Sequence, residues 1–303
     1  MKDSCLISVI IVNHNSSDVL SQCVLSIFKA CHGASVIVVD NASTDESLSL
    51  LESSFPDESR LEILRNQQNL GFAVACNMGT HLAKGPYLLY LNPDCLIDEN
   101  TLPRLLASLG ENPGAGMVGG LLLNPDGTEQ AGGRRKIPTP WRTLVRVFNL
   151  TGLARHYPRL FSDFNLHRQP LPDKPIEVEA ISGACMLVRR EALEEVGGFD
   201  EGYFLHCEDL DWCMRFRHKG WKILFVADAR VMHHQGVCSR SRPVFVEWHK
   251  HRGMMRFYRK HFRHQYPGVL MWVVGAGVWL RFTLLAVYHT ARRFPLWFRR
   301  RHG

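Results

Sequence analysis

Four short apolar runs, at residues 7–12, 35–39, 61–64 and 87–91, alternate with helix-like stretches through the first hundred residues. The first, Ile7-Ser8-Val9-Ile10-Ile11-Val12, is rich in β-branched residues and free of charge. That is the pattern of a strand buried on both faces. Regular alternation of strand and helix restricts the topology to a parallel sheet with right-handed crossovers. The expected fold class is therefore α/β, a mostly parallel central sheet flanked by helices. Helices are expected over 19–30, 46–54, 73–83 and 101–110. Ser17 or Asp18 is expected to cap the first, and Ser43 or Thr44 the second.

The fourth run, Tyr87-Leu88-Leu89-Tyr90-Leu91, leads straight into Asn92-Pro93-Asp94. Pro93 cannot donate to a ladder and presses Asn92 into an extended conformation. Asp94 is thereby displayed at the carboxyl end of a strand, the edge where open α/β sheets bind ligands. A carboxylate there suits a hard divalent cation, Mg2+ or Mn2+, and the cation suits a diphosphate. The same edge collects His14 and Asn15, then Asp40 and Asn41, then Asn66 and Asn69. One polar turn is a loop; four converging turns are a ligand site. Asp40, directly after a strand, is placed to accept from ribose hydroxyls or a base N–H. No G-x-G-x-x-G follows the first strand and no Walker A motif is present, which disfavours a dinucleotide cofactor.

Further on, a strand is expected over 117–123 and a hairpin turn at Asn124-Pro125-Asp126-Gly127. Residues 132–175 are rich in Arg and Pro without clear period, the mark of a long loop with one helical aromatic stretch. Such a segment is either a substrate-covering loop or a plain insertion. Gly183 and Ala184, between apolar flanks, permit close approach of a ligand and are assigned, with Trp212, to the acceptor side. A helix is expected over 191–195, ended by a glycine cap at Gly197-Gly198. Glu208, Asp209 and Asp211 crowd the start of a helix after an aromatic run. Either they simply favour the helix N-terminus, or burial and mutual repulsion tune one of them as a general base. A strand over 221–226 follows, and His233-His234 then offers metal ligands at a strand end.

The net charge of +7 conceals a split. Residues 249–303 carry twelve Lys and Arg and no Asp or Glu, which leaves −5 for residues 1–248. Within this basic tail, 268–287 is a run of about twenty apolar residues broken by Arg281, long enough to span a bilayer. Basic flanks on both sides favour a segment lying in an anionic leaflet, with a single span as second choice. Nucleic acid is disfavoured, since no recognised binding motif is present. Nine cysteines without a CxxC pair argue against a disulfide framework or a zinc cluster and for a reducing cytoplasm. No signal peptide is read at the N-terminus. The organisation expected is a catalytic domain over 1–247, its halves 1–100 for the nucleotide sugar and 101–247 for acceptor and catalysis. A membrane-associating tail over 248–303 completes it.

Several of these pieces together resemble the family 2 glycosyltransferases of the GT-A fold, a Rossmann-like class, and within them the bacterial rhamnosyltransferase-like group. They are Ile10-Ile11-Val12-Asn13-His14-Asn15, Val38-Val39-Asp40-Asn41-Ala42-Ser43-Thr44-Asp45, Asn69-Leu70-Gly71-Phe72-Ala73 with Asn77, Leu91-Asn92-Pro93-Asp94, Gly198-Phe199-Asp200-Glu201, Glu208-Asp209-Leu210-Asp211, and the stretch from His233 to Ser239. The resemblance implies that Val12 and His14 lie against the nucleotide base and that Asp40 holds base or ribose. Asn15, Asn41, Asn69, Gly71, Asn77 and Asn92 would complete the donor side. Asp94 matches the last acid of the metal-binding DXD motif, whose first acid is here Asn92. His233 matches the downstream metal ligand, while Gly236 and Ser239 would touch the diphosphate. Asp209 matches the catalytic base, with Glu208 beside it and Asp211 in support.

The implied activity is an inverting sugar transfer at the cytoplasmic face of the plasma membrane. The donor expected is dTDP-L-rhamnose and the acceptor a lipid-linked or lipopolysaccharide glycan. A UDP-sugar donor is the alternative within the fold. A sugar nucleotidyltransferase would need a Gly-rich basic loop after the first strand, which residues 13–18 are not. An inactive glycan-binding scaffold is disfavoured by Asp94, Asp209 and His233.

Overall fold

The computed structural model describes residues 7–147, 150–157, 161, 164–236 and 242–301. It divides into two compact units, the first formed by 1–137, 164–202 and 208–238 and the second by 138–163, 203–207 and 239–303.

In the first unit the sheet runs β3-β2-β1-β4-β10-β6-β11-β5, with β8 paired to β11. Its leading strands are β1 (Ile7–Asn13), β2 (Ser35–Asp40), β3 (Leu61–Arg65) and β4 (Tyr87–Leu91), all parallel as expected. Helices α1 (Val19–Ala30), α2 (Ser47–Ser54) and α3 (Phe72–Leu82) form the crossovers. Ile7, Val9 and Ile11 of β1, with Val36, Val38 and Leu89, pack against Leu20, Val24 and Ile27 of α1. Each such buried side chain contributes about 1.5–3 kcal/mol relative to exposure. On the other face α3 comes so close that a Cβ at Gly79 would stand 2.7 Å from Ile10 Cγ2.

Two helix starts differ from expectation. Asp18 occupies the N-cap of α1 but makes no capping bond; its carboxylate accepts from Gln22 Nε2. At α2 it is Asp45 that takes the Ser47 N–H, at 3.2 Å.

Beyond β4 the sheet becomes mixed. Strands β5 (Cys95–Ile97), β6 (Ala115–Leu123), β8 (Ile176–Glu177), β10 (Cys185–Arg189) and β11 (Lys222–His233) build it, with α4 (Thr101–Glu111), α6 (Arg190–Val196) and α7 (Glu208–His218). Strand β10 lies antiparallel between β4 and β6, and β11 runs parallel to β6. The stretch read as a strand over 221–226 is the first half of the twelve-residue β11, kinked by a register shift between Val226 and Arg230. There the Ala229 carbonyl pushes toward β6, so a Cβ at Gly120 would stand 2.3 Å from it. A separate two-stranded ladder pairs β7 (Arg134–Arg135) with β9 (Ala180–Ile181).

The second unit contains α5 (Pro140–Val147), a 3-10 turn (Leu150–Arg155), α8 (Pro243–His261) and α9 (Gly268–Arg301). The irregular segment expected over 132–175 thus holds β7, α5 and the 3-10 turn. Trp248 of α8 packs on Trp279 and Phe282 of α9, and Met255 fills the space over Gly275. Tyr258 shares a 2.6 Å hydrogen bond with Thr143 of α5. Gly253 lets α8 approach the carbonyl of His206, itself at φ 68°. Among the described residues Gly268–Arg292 is the one helical stretch long and apolar enough to cross a membrane.

Candidate active site

The parallel strands end together, and the polar residues after them form one bonded layer. Asn13, the last residue of β1, donates through Nδ2 to Asp40 Oδ1 at 2.7 Å and to the Ser43 and Ser47 hydroxyls at 3.0 and 2.9 Å. Asp40 also takes the Ser43 hydroxyl (2.6 Å) and amide (3.1 Å), which leaves one acceptor position on Oδ2. Val12 is buried beside it, and His14 Nδ1 lies 2.9 Å from the Asn41 carbonyl. Asn15, at φ 55°, accepts the Thr44 amide at 2.7 Å. Asn41 donates to the Gly71 carbonyl and accepts from Asn66, so it ties the third turn to the second. Asn69 Oδ1 takes the Gly71 N–H at 2.9 Å, and Gly71 itself sits at φ 88°.

Asn77 differs from its expected donor-side role. Its amide donates to the Phe199 carbonyl and Glu201 and accepts the Phe199 N–H at 2.8 Å. It clamps α3 to the loop at 198–201, where only a glycine at 198 fits, since a Cβ would lie 2.5 Å from Asn77 Oδ1.

Asp94 and His233 come together as expected, only 5% and 6% exposed. His233 Nε2 is 3.2 Å from Asp94 Oδ1. On its other side His233 Nδ1 lies 2.6 Å from Gln130 Oε1, and Gln130 Nε2 donates to Asn124. An amide oxygen only accepts, so Nδ1 carries the hydrogen and Nε2 faces the carboxylate. Imidazole held in this way by an outer partner is the usual arrangement of a metal ligand. Asp94, Cys95 and His233 offer ligand atoms all within 4.8 Å of one another. The Cys95 thiol is soft and already contacts the Ala184 carbonyl at 3.5 Å. Carboxylate and imidazole therefore form the donor pair, and they fit a hard or borderline divalent ion. The sequence reading missed Gln130; it carries no motif and lies 103 residues from His233. Gly236 follows in the turn after β11, and Ser239 lies outside the described residues.

The acids of α7 separate into different roles. Asp209 Oδ2 accepts the Gly183 N–H at 3.1 Å and pairs with Arg135 Nη2. A Cβ at Gly183 would stand 3.3 Å from Asp209 Cβ, so this approach favours glycine. Glu208 is buried beside it, with no hydrogen-bond partner for Oε2. Burial first, and then the charge of Asp209, push its carboxyl up to about 8. Asp211 is fully buried and pairs with Arg215 at 2.8 Å. Arg215 donates onward to the carbonyls of Val196 and Gly198, so this pair anchors the helix start to the preceding turn.

Trp212 is corrected from an acceptor-side residue to a core residue. It is 0% exposed, packs edge-on to Tyr90 and Phe216, lies 4.0 Å from the Phe199 ring centre, and donates to the Gly197 carbonyl. An aromatic among acids reads as cleft lining in sequence, but its place on α7 turns it inward.

One short turn joins the two clusters. The Ala184 carbonyl accepts the Asn92 N–H at 2.9 Å, while the neighbouring Gly183 N–H holds Asp209. Residues 8–197 match the family described as Glycosyl transferase family 2. The chain belongs to that family. Among curated relatives of this glycosyltransferase is the N-acetylglucosaminyl-diphospho-decaprenol L-rhamnosyltransferase of Mycobacterium tuberculosis, 29% identical over 221 residues, 69% of each chain. Another is the O-antigen biosynthesis protein RfbC of Myxococcus xanthus, 27% identical over 78% of this chain but only 18% of its own length. Among solved structures, a mannosyltransferase from Pyrobaculum calidifontis in complex with GDP-Man and Mn2+ aligns at TM-score 0.59 and 16% identity. That alignment covers 95% of this chain and 75% of the other. GalNAc-T7 with UDP, GalNAc and Mn2+ aligns at TM-score 0.57 and 22% identity, over 75% and 43% of the two chains. The glycosyltransferase has the GT-A fold.

Proposed function

We propose that this glycosyltransferase moves L-rhamnose, with inversion, from dTDP-L-rhamnose to a lipid-linked glycan at a membrane surface. The observation that carries the reading is the Gly183-Ala184 turn, which fixes the Asp94 turn with one residue and the Asp209 carboxylate with the next. A donor-diphosphate end and a base are thus built on one rigid connection. The rhamnosyl donor and lipid-linked acceptor are carried over from the relative in Mycobacterium tuberculosis.

Asp94 and His233 would hold a divalent cation, which supplies positive charge to a departing diphosphate. The remaining steps belong to the chain's own side chains. Asp209 removes the proton of an acceptor hydroxyl as that oxygen bonds to the anomeric carbon. The bond to the diphosphate oxygen breaks with its electron pair, and the configuration inverts. Glu208 stays protonated at neutral pH, so Asp209 is the ionised acid of the pair. Asp40 and Asn41, with the turns they tie together, frame the nucleoside. On α9 the exposed side chains Val269, Trp272, Val273, Leu280, Leu284 and Val287 give an apolar surface for a bilayer, and the basic tail suits anionic lipid.

The test is transfer of radiolabelled rhamnose to a polyprenyl-diphosphate-linked N-acetylglucosamine in vesicles, with UDP- and GDP-sugars as competing donors. Product from dTDP-rhamnose alone supports the reading. Transfer only from a UDP-sugar overturns the donor, and no transfer from any donor overturns the enzyme.

A further inference from the structure

Two consecutive arginines form β7, and they do different things. Arg134 is consumed by structure: it is buried, paired with Glu129 through two bonds, bonded to the Gln169 carbonyl and laid over the Phe225 ring at 5.0 Å. Arg135 instead reaches Asp209, 74 residues away, through Nη2. Its backbone is fixed on both sides, opposite Ala180 of β9 and in a bridge to Asn165. Its Nε is buried with no hydrogen-bond partner. A guanidinium that gives up a bond there to stay on one carboxylate is committed to that carboxylate.

The commitment matters because Asp209 has Glu208 as its neighbour. Two buried carboxyls side by side cannot both ionise cheaply, and the pair titrates as a unit. Nothing in the sequence Glu208-Asp209 decides which one keeps its proton. The contacts do: Asp209 receives Arg135 and the Gly183 N–H, while Glu208 Oε2 receives nothing. The other titratable groups close by are Cys213 on the next turn of α7, Arg217 acting on it, and Cys76 of α3 acting on Glu208. Burial pushes both thiols up, so neither competes for the charge. Glu179, before β9, is occupied by the Ile137 N–H at 2.8 Å.

We infer that Arg135 is the positioning residue that selects Asp209, rather than Glu208, as the ionised base of the pair and aims its carboxylate. This rests on the reading of Asp209 as base. Arg135 touches no reacting atom in this account; it acts through Asp209.

The test is the pH profile of kcat/KM for R135Q, R135K and the wild type, with thermal melts to establish folding. In R135Q the charge has no partner, so the acid limb moves up by one pH unit or more. Turnover at pH 6.5 falls at least tenfold and recovers to within about threefold of wild type near pH 9. In R135K the acid limb stays near wild type while kcat falls, because a point charge replaces the planar fork. Millimolar guanidinium restores R135Q below pH 7, and urea at the same concentration does not. Removing the neighbour as well, in E208Q/R135Q, shrinks the shift. A uniform loss at every pH overturns the inference and makes Arg135 merely structural. A raised acceptor KM with an unmoved profile also overturns it and makes Arg135 a substrate contact. Should R135Q fail to fold, R135K decides: an acid limb shifted by a unit or more counts against charge selection. D209N separates the two layers. If D209N is inactive and R135Q shows no shift, only the inference falls; if D209N still turns over, the base assignment falls first.

Discussion

His233 Nε2 stands 3.2 Å from Asp94 Oδ1, at the point where β11 pairs with β5, and Gln130 holds the opposite ring nitrogen. Loss of the Gln130 contact frees the ring to turn and to change tautomer. The variant Q130A is expected to keep its fold and to bind Mn2+ about 10–100-fold more weakly with nucleoside diphosphate present. Electron paramagnetic resonance of free Mn2+ measures this; unchanged affinity would remove Gln130 from the site.

Gly183→Ala tests the close approach that builds the base. The added methyl lies 3.3 Å from Asp209 Cβ, so the carboxylate must give way by a few tenths of an ångström. Turnover should fall tenfold or more, since small misplacements of a reacting group are costly. Donor affinity and melting temperature should change little. Equal loss of melting temperature and activity would instead mark Gly183 as a folding residue.

These two sites also mark what could be read without coordinates. Strand β4 and its turn were legible because an uncharged run bounded by Gly-Pro and Asn-Pro admits little else. The convergence of His14, Asp40, Asn69 and Asp94 followed from parallel topology alone. The direction of β10 was not legible, because five apolar residues announce burial and not orientation. Trp212 was misassigned because neighbouring acids suggested a cleft, whereas its helical position faces Tyr90 and Phe199. Gln130 and Arg135 escaped because each acts on a partner far along the chain, with no spacing to signal it.

Glu208 makes stability depend on pH. Its folded value of about 8 lies above the ordinary carboxylate range. The native state therefore binds more protons than the unfolded chain between those values, and stability falls as pH rises through that window. E208Q should abolish this slope. Its melting temperature should exceed that of wild type at pH 8.5 by more than at pH 5, read by calorimetry at both pH values. Parallel curves for the two proteins would contradict a neutral buried Glu208.

Asn77→Ala removes the clamp on the 198–201 loop and leaves the Phe199 N–H without its partner. A cost of about 1–3 kcal/mol is expected from an unsatisfied buried group. Urea denaturation measures it. A change under 0.5 kcal/mol would show that the loop does not depend on this contact.

The apolar surface of α9 predicts binding to anionic vesicles. Trp272→Asp combined with Leu284→Asp alters two exposed positions, so folding should be preserved while co-sedimentation with phosphatidylglycerol vesicles drops at least tenfold. Retained binding would assign the contact to the basic residues alone.

The central claim is that Asp209 takes the acceptor proton at a site whose donor is held elsewhere. The direct measurement is turnover of D209N beside its donor affinity by calorimetry. The account predicts a loss of kcat of three orders of magnitude or more, with the donor dissociation constant within about threefold of wild type. Lost donor binding with lost turnover, or turnover that persists, would contradict it.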